Sequence, residues 1–232
     1  LAIMYMTNAW DGLIYMLLAG AVFVYFRKPK LIIPLFFLFI IFALPFSLNF
    51  KPFAHGIGMI CPPQFLVHIG NIGPFLFEED HCQRSTWWQV LTLYGFFYFF
   101  VFAFILSILK KIKRFKVEIS DIFILLLILI STMLIVAPEL VYLKDIYPAH
   151  YRANTMFKLV YQSFIMLSVA SGYIIVRLAT SIKPKGFKLF NIYNVYLLFA
   201  IVFLILVFIY PYFAIKSYYA DLKKHVGLDG IA

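Results

Sequence analysis

The sequence predicts an all-α, polytopic integral membrane protein of about six transmembrane helices, and three observations predict it. Of 232 residues, 64% are hydrophobic and only 13% charged, with a mean hydropathy of +0.95. A soluble domain is typically about 45–50% apolar and about 25% charged, so this chain has too little polar surface to coat a water-soluble globule. Six apolar segments each approach the ~20 residues needed to cross the hydrocarbon of a bilayer. The basic residues, finally, alternate from one connection to the next as repeated crossings require.

The spans are expected near residues 10–26, 31–48, 87–109, 122–137, 155–178 and 189–213. The fourth is short but uncharged throughout. The weaker stretch 64–77 carries His68, Asn71, two glycines and Pro74. It reads as a loop or half-embedded segment, because irregular backbone exposed to lipid leaves its polar groups unsatisfied.

Orientation follows from Lys and Arg. Arg27, Lys28 and Lys30, then Lys110, Lys111, Lys113, Arg114 and Lys116, then Arg177, Lys183, Lys185 and Lys188 make up more than half of the 20 basic residues. They fall on three short alternate connections whose acidic residues are only Glu118 and Asp121. Those connections are expected to be cytoplasmic. The outer loops at about 49–86 and 138–154 and the segment at about 214–232 then lie outside the cell membrane, with both ends of the chain, although Lys223 and Lys224 sit on the unexpected side. The whole of 1–232 reads as a single transmembrane domain, and as a fragment of a longer protein, since it starts at Leu1 and stops in apolar residues. The net charge of +10 is spread over these connections rather than gathered on one patch, which argues against nucleic acid as a partner. The partner this composition requires is the lipid bilayer.

Cys61 and Cys82 share the first outer loop, where a disulfide can form; two free thiols are equally compatible with the sequence. His55, His68, His81 and His150 match no compact metal-ligand spacing. Glycine-rich phosphate loops, nucleophile elbows and Cys-x-x-Cys pairs are absent from the sequence, which sets ATP-driven chemistry aside.

The polar residues gather instead at the outer helix ends. Asn8, Trp10 and Asp11 open the first span, and Glu139, Tyr142, Lys144 and Asp145 follow the fourth. Arg152, Asn154, Thr155, Lys158 and Gln162 open the fifth, and Asp229 stands near the C-terminal end. Thr155, Lys158 and Gln162 recur at i, i+3, i+7, on one helical stripe. Ionisable groups at membrane depth are costly and usually face a partner or a wet cavity. An Arg fork and a Lys point charge suit phosphate, whereas amides and carboxylates suit hydroxyl-rich ligands. The expectation is therefore one wet pocket holding a phosphorylated or sugar-like ligand, although each cation taken singly would also fit simple snorkelling.

The stretches Asn8-Ala9-Trp10-Asp11, Leu44-Pro45-Phe46 with Gly56-Ile57-Gly58, Glu139 to Asp145, Arg152 to Lys158 with Tyr161-Gln162, and Leu228-Asp229-Gly230 occur here in one order. In that order they resemble the Chlor-Arch YYY membrane proteins, a domain family of unknown function (DUF2298) found in archaea and Chloroflexi-type bacteria. The most specific part is Glu139 to Gln162. The resemblance implies a fold grouped with the GT-C glycosyltransferases, polytopic enzymes that move a sugar from a polyprenyl-phosphate carrier to an acceptor outside the cytoplasm. The catalytic carboxylate of such enzymes usually lies in the first outer loop near the N-terminus, a region this fragment is expected to lack.

Under that resemblance Asp11, Glu139 or Asp145 would be base or metal ligand. Arg152 and Lys158 would hold the carrier phosphate, and Asn8, Trp10, Tyr142, Lys144, Asn154, Thr155, Gln162 and Asp229 would line the site. No cofactor is certain from the sequence; if a metal is used, oxygen ligands favour Mg²⁺ or Mn²⁺. Two other classes stay open: a transporter or flippase of a lipid-linked saccharide, and a non-catalytic membrane assembly subunit.

Overall fold

A computed structural model describes residues 1–51, 56–112, 117–144, 150–181 and 192–219. It is built almost wholly of helices: α1 (Ala2–Thr7), α2 (Ala9–Tyr25), α3 (Ile32–Ser47), α4 (Gln64–Ile69), α5 (Trp87–Ile112), α6 (Ile119–Val136), α7 (Ala153–Ser181) and α8 (Ile192–Tyr219). All six expected helices are present, with ends shifted by a few residues. Five spans are long and apolar enough to cross a membrane, α3 together with the 3-10 turn Pro29–Leu31 that leads into it; α2, at 17 residues, falls short of the usual length. At 1.5 Å per residue it is about 26 Å long, slightly under the ~30 Å hydrocarbon layer.

The chain divides into two compact units, Leu1–Ser181 and Ile182–Ala232, and α8 belongs to the second. Only 6% of its apolar window is buried, as expected of a helix whose solvent is lipid.

In the first unit, α5, α6 and α7 form the packed heart. Phe97, Phe100 and Phe104 of α5, Leu127, Ile130 and Leu134 of α6, and Leu159, Leu167, Ala170 and Ile174 of α7 are all buried. Lipid tails are as apolar as leucine, so helices associate in a membrane through close packing and internal hydrogen bonds. Here the Ser163 hydroxyl donates to the Ser131 carbonyl at 2.6 Å, across a crossing of small residues. α2 packs on both α6 and α7, and α1 lies on α2 at Gly12, where a Cβ would overlap Tyr5.

Helix ends follow from local chemistry. Glu118 caps α6 and Asp121 reaches back to its backbone N–H, a reciprocal cap that satisfies two otherwise orphaned donors. α6 ends at Val136 and the chain passes into a 3-10 turn, Ala137–Glu139, whose first-turn position Pro138 fills without losing a needed N–H. Asp121, 1% exposed, also accepts from Arg177 and Tyr173 of α7, tying the two helices together at the end where α6 begins. The basic turn after α2, Arg27 to Lys30, falls at that same end, for Val22, Tyr25 and Phe26 line one small pocket with Ile119 and Phe123 at the start of α6.

The stretch expected as a loop or half-embedded segment folds differently. Residues 64–69 form α4, and the chain then makes a hairpin of β2 (Asn71–Ile72) and β3 (Phe75–Leu76). β3 pairs parallel with β1 (Ile57–Met59), which pairs antiparallel with β4 (Val141–Leu143), giving a four-stranded cap in the order β2-β3-β1-β4. Pairing backbone groups within a sheet satisfies them without needing membrane depth. A disulfide joins Cys61 to Cys82 beside this cap. Tyr142 is fully buried with its ring against Gly58, where no Cβ would fit. The Leu143 N–H donates to Thr155 Oγ1 at 2.8 Å, fastening the cap to the first turn of α7.

Candidate functional site

The predicted polar residues meet at the cap end of the bundle, but in three groups rather than one. α7 separates two of them. Lys158 is six residues beyond Arg152, which stands just before α7, and that spacing leaves the two cations about 120° apart, on different flanks of the helix. Arg152 points toward α5, and Gln162 toward α2.

On the α5 flank, Arg152 forks onto Glu139, Nη1 to Oε2 at 2.9 Å and Nη2 to Oε1 at 3.1 Å. Bidentate pairing of this kind fixes both side chains. Ser85, just before α5, completes the arrangement: its N–H and hydroxyl donate to Glu139 at 2.8 and 2.7 Å, and Arg152 donates to its Oγ at 2.7 Å. Arg152 thus ties together the ends of α5, α6 and α7. Beside it opens a cavity of about 510 Å³, lined among others by Arg84, Gln89, Trp88, Leu93 and Met156.

On the α2 flank, Asp11 is held by two amides. Asn8 Nδ2 and Gln162 Nε2 both donate to its Oδ1 at 2.8 Å, and Tyr15 donates to Gln162 Oε1 at 2.9 Å. Asp11 Oδ2 accepts no hydrogen bond among the described residues. Asn8 ends α1 in an extended conformation, which turns its side chain onto the first turn of α2. Gln162 is 5% exposed and sits in the packed face of α7, so the amide is fixed before any ligand arrives. Lys158, one turn nearer the cap, lies over the Phe157 ring at 5.8 Å and pairs with no acidic group among the described residues.

The third group lies inside the cap. Tyr142 donates to Glu78 Oε2 at 2.6 Å, Lys144 pairs with Glu78 Oε1, and His81 contacts the Tyr142 hydroxyl while stacking on Tyr151 at 4.0 Å. Burial opposes ionisation of Glu78, but hydrogen bonds from Lys144 and Tyr142 and the charge of Lys144 outweigh it, holding the carboxyl below its usual range. Burial pushes the Tyr142 hydroxyl far up, and its bond to Glu78 pushes it further. Tyr142 and Lys144 are thereby committed to holding the cap together.

Trp10 and Asn154 make no side-chain hydrogen bond among the described residues, and Thr155 is engaged with Leu143. Asp145 and Asp229 lie outside the described residues. Among the described residues, no three His, Cys, Asp or Glu side chains converge as metal ligands. Sequence reasoning missed Ser85, Tyr15, Glu78, His81 and Tyr151. Tyr15 had a readable signal, since it stands at i+4 from Asp11 on one face of α2. Ser85 had none, because its partners are 54 and 67 residues away.

Comparison with known proteins agrees with this picture at the level of class. A family described as "Uncharacterized membrane protein (DUF2298)" matches residues 108–167. That stretch runs from the last turn of α5 through α6 and β4 into α7, and contains Glu139, Arg152, Lys158 and Gln162. No curated protein and no solved structure matches the chain. The chain is a multi-pass membrane protein that is similar to this family over its α6–α7 hairpin.

Proposed function

We propose that this chain carries the reaction site of a membrane glycosyltransferase that uses a sugar linked to a polyprenyl phosphate, working at the cap end outside the cytoplasm. The observation that carries the proposal is Asp11: one carboxylate oxygen is pinned by two amides, the other accepts no hydrogen bond from the described residues, and Lys158, with no acidic partner among them, stands one turn from Gln162. A carboxylate fixed in this way is positioned for base catalysis without reorganisation. Two features support the orientation. The Cys61–Cys82 disulfide belongs in an oxidising compartment, and the basic turn after α2 lies at the opposite end of the bundle.

Asp11 Oδ2 takes the proton of an acceptor hydroxyl. The acceptor oxygen bonds to the anomeric carbon, and the bond from that carbon to the phosphate oxygen breaks with its electron pair leaving on the polyprenyl phosphate. Lys158 offsets the charge that grows on that phosphate. Gln162 and Tyr15 hold Asp11 in place and offer polar groups to the sugar hydroxyls. If Mg²⁺ or Mn²⁺ takes part, Asp11 would hold it from among the described residues, and the ion would offset charge on the substrate phosphate.

The test uses full-length protein in liposomes with a tritiated polyprenyl-phosphate sugar and a hydroxyl acceptor. Asp11→Asn should lower kcat by roughly 10²–10⁴-fold, the usual worth of a general base, with KM nearly unchanged. Wild-type turnover in Asp11→Asn would overturn the assignment. Passage of the intact donor across the bilayer, its glycosidic bond uncleaved, would make the protein a transporter instead.

A further inference from the structure

The cavity on the other flank of α7 is not needed for the transfer chemistry, and its composition changes along its depth. Toward the cap it presents Arg84 and Arg152; deeper it presents Thr92, Leu93 and Met156. Thr92 and Leu93 lie within the span Trp87–Leu109, so the apolar part is at membrane level. Arg152 is already neutralised by Glu139. Arg84 pairs with no acidic group among the described residues, which leaves the cavity one uncompensated positive charge at its polar rim. Trp88, 55% exposed, stands between the two regions with the amphipathic ring typical of the membrane–water boundary.

A polar cationic rim above an apolar slot at the start of a span matches one ligand shape: an amphiphile with an anionic head outward and its first methylenes inward. We infer that the α5–α7 cavity binds the headgroup of an anionic phospholipid, its phosphate on Arg84 and the outer edge of Arg152, its polar head atoms near Gln89, and the start of one acyl chain against Leu93 and Met156. The volume of about 510 Å³ accommodates a headgroup and a few methylenes rather than a whole lipid, so the tails emerge along α5 into the bilayer. The site is independent of Asp11 and of glycosyl transfer.

Native mass spectrometry of the full-length protein released from nanodiscs tests this. Phosphatidylglycerol should be retained as a discrete adduct and phosphatidylcholine should not. Arg84→Gln, at an exposed position with no ion pair to lose among the described residues, should weaken retention about tenfold, the scale of one charge-assisted contact. Thr92→Trp should block the slot and reduce phosphatidylglycerol retention with Arg84 and Arg152 in place. Equal retention of the two lipids, or an unchanged adduct in both variants, would overturn the inference. Displacement of the lipid by millimolar inorganic phosphate would also overturn it, by showing a soluble-anion site.

Discussion

Removing the Arg152 fork should cost the protein more than any other single polar change at the cap end. Arg152 and Glu139 are 15% and 21% exposed, and two short hydrogen bonds join them. Exposed pairs contribute about 0–1 kcal/mol, whereas breaking a fully buried pair costs about 3–5 kcal/mol because one charge is stranded. With most of each side chain covered, Arg152→Met should cost about 2–3 kcal/mol. The Ser85 hydroxyl and N–H still donate to Glu139 and soften the loss, while the Pro138 carbonyl gives up its 3.3 Å contact with Arg152. Glu139→Gln strands the guanidinium and should cost a similar amount. The double variant leaves neither charge uncompensated and should lose little more than one single variant, a coupling of about 2 kcal/mol. Equilibrium unfolding in mixed micelles, followed by tryptophan fluorescence, measures all four proteins. Losses that add within about 0.5 kcal/mol would refute the claim that this pair works as a unit.

Three further outcomes test the cap. The disulfide closes a loop of 21 residues, so replacing Cys61 and Cys82 by Ser should destabilise the cap by about 3 kcal/mol on the loop-entropy estimate; hydrogen exchange should speed up in β1 and β4, with α6 and α7 unaffected. Gly58→Ala places a methyl where the Tyr142 ring lies, so it should break the β1–β4 pairing and raise exchange at Ile60 and Lys144, whose N–H groups donate to the Leu140 and Gly56 carbonyls across it. Because the folded-state pKa of Glu78 is lowered, its stabilising effect is complete above the ordinary glutamate pKa of about 4.3 and fades as pH falls through the lower folded value. Cap protection should therefore drop on acidification below about pH 4, and Glu78→Gln should remove that part of the pH dependence.

The helices were legible because each is a long run with one dominant signal, apolarity, and because Lys and Arg punctuate the runs. Asp11 and Gln162 were legible as candidates from polarity at helix ends, although their contact was not, being 151 residues apart. The cap was not legible. Its strands are two or three residues long, too short for alternation to register, and β1 pairs with β4 some 80 residues later. The cysteine pair admitted two readings, and only the approach of Cys82 to Cys61 decides between them. The expected single pocket divides at α7: Lys158 and Gln162 share one stripe, while Arg152, just before the helix, faces the α5 flank. The fork of Arg152 also finds Glu139 and Ser85 close by, so that cation is spent on structure, while Lys158 finds no carboxylate among the described residues.

The most direct measurement is a cryo-EM structure of the full-length protein with a non-transferable phosphonate analogue of a polyprenyl-linked sugar. The sugar should sit on the α2 side of α7, its phosphonate near Lys158 and a sugar or acceptor hydroxyl within about 3.2 Å of Asp11 Oδ2. A sugar seated on the α5 side, or at the Asp121–Arg177 end of the bundle, would contradict the account.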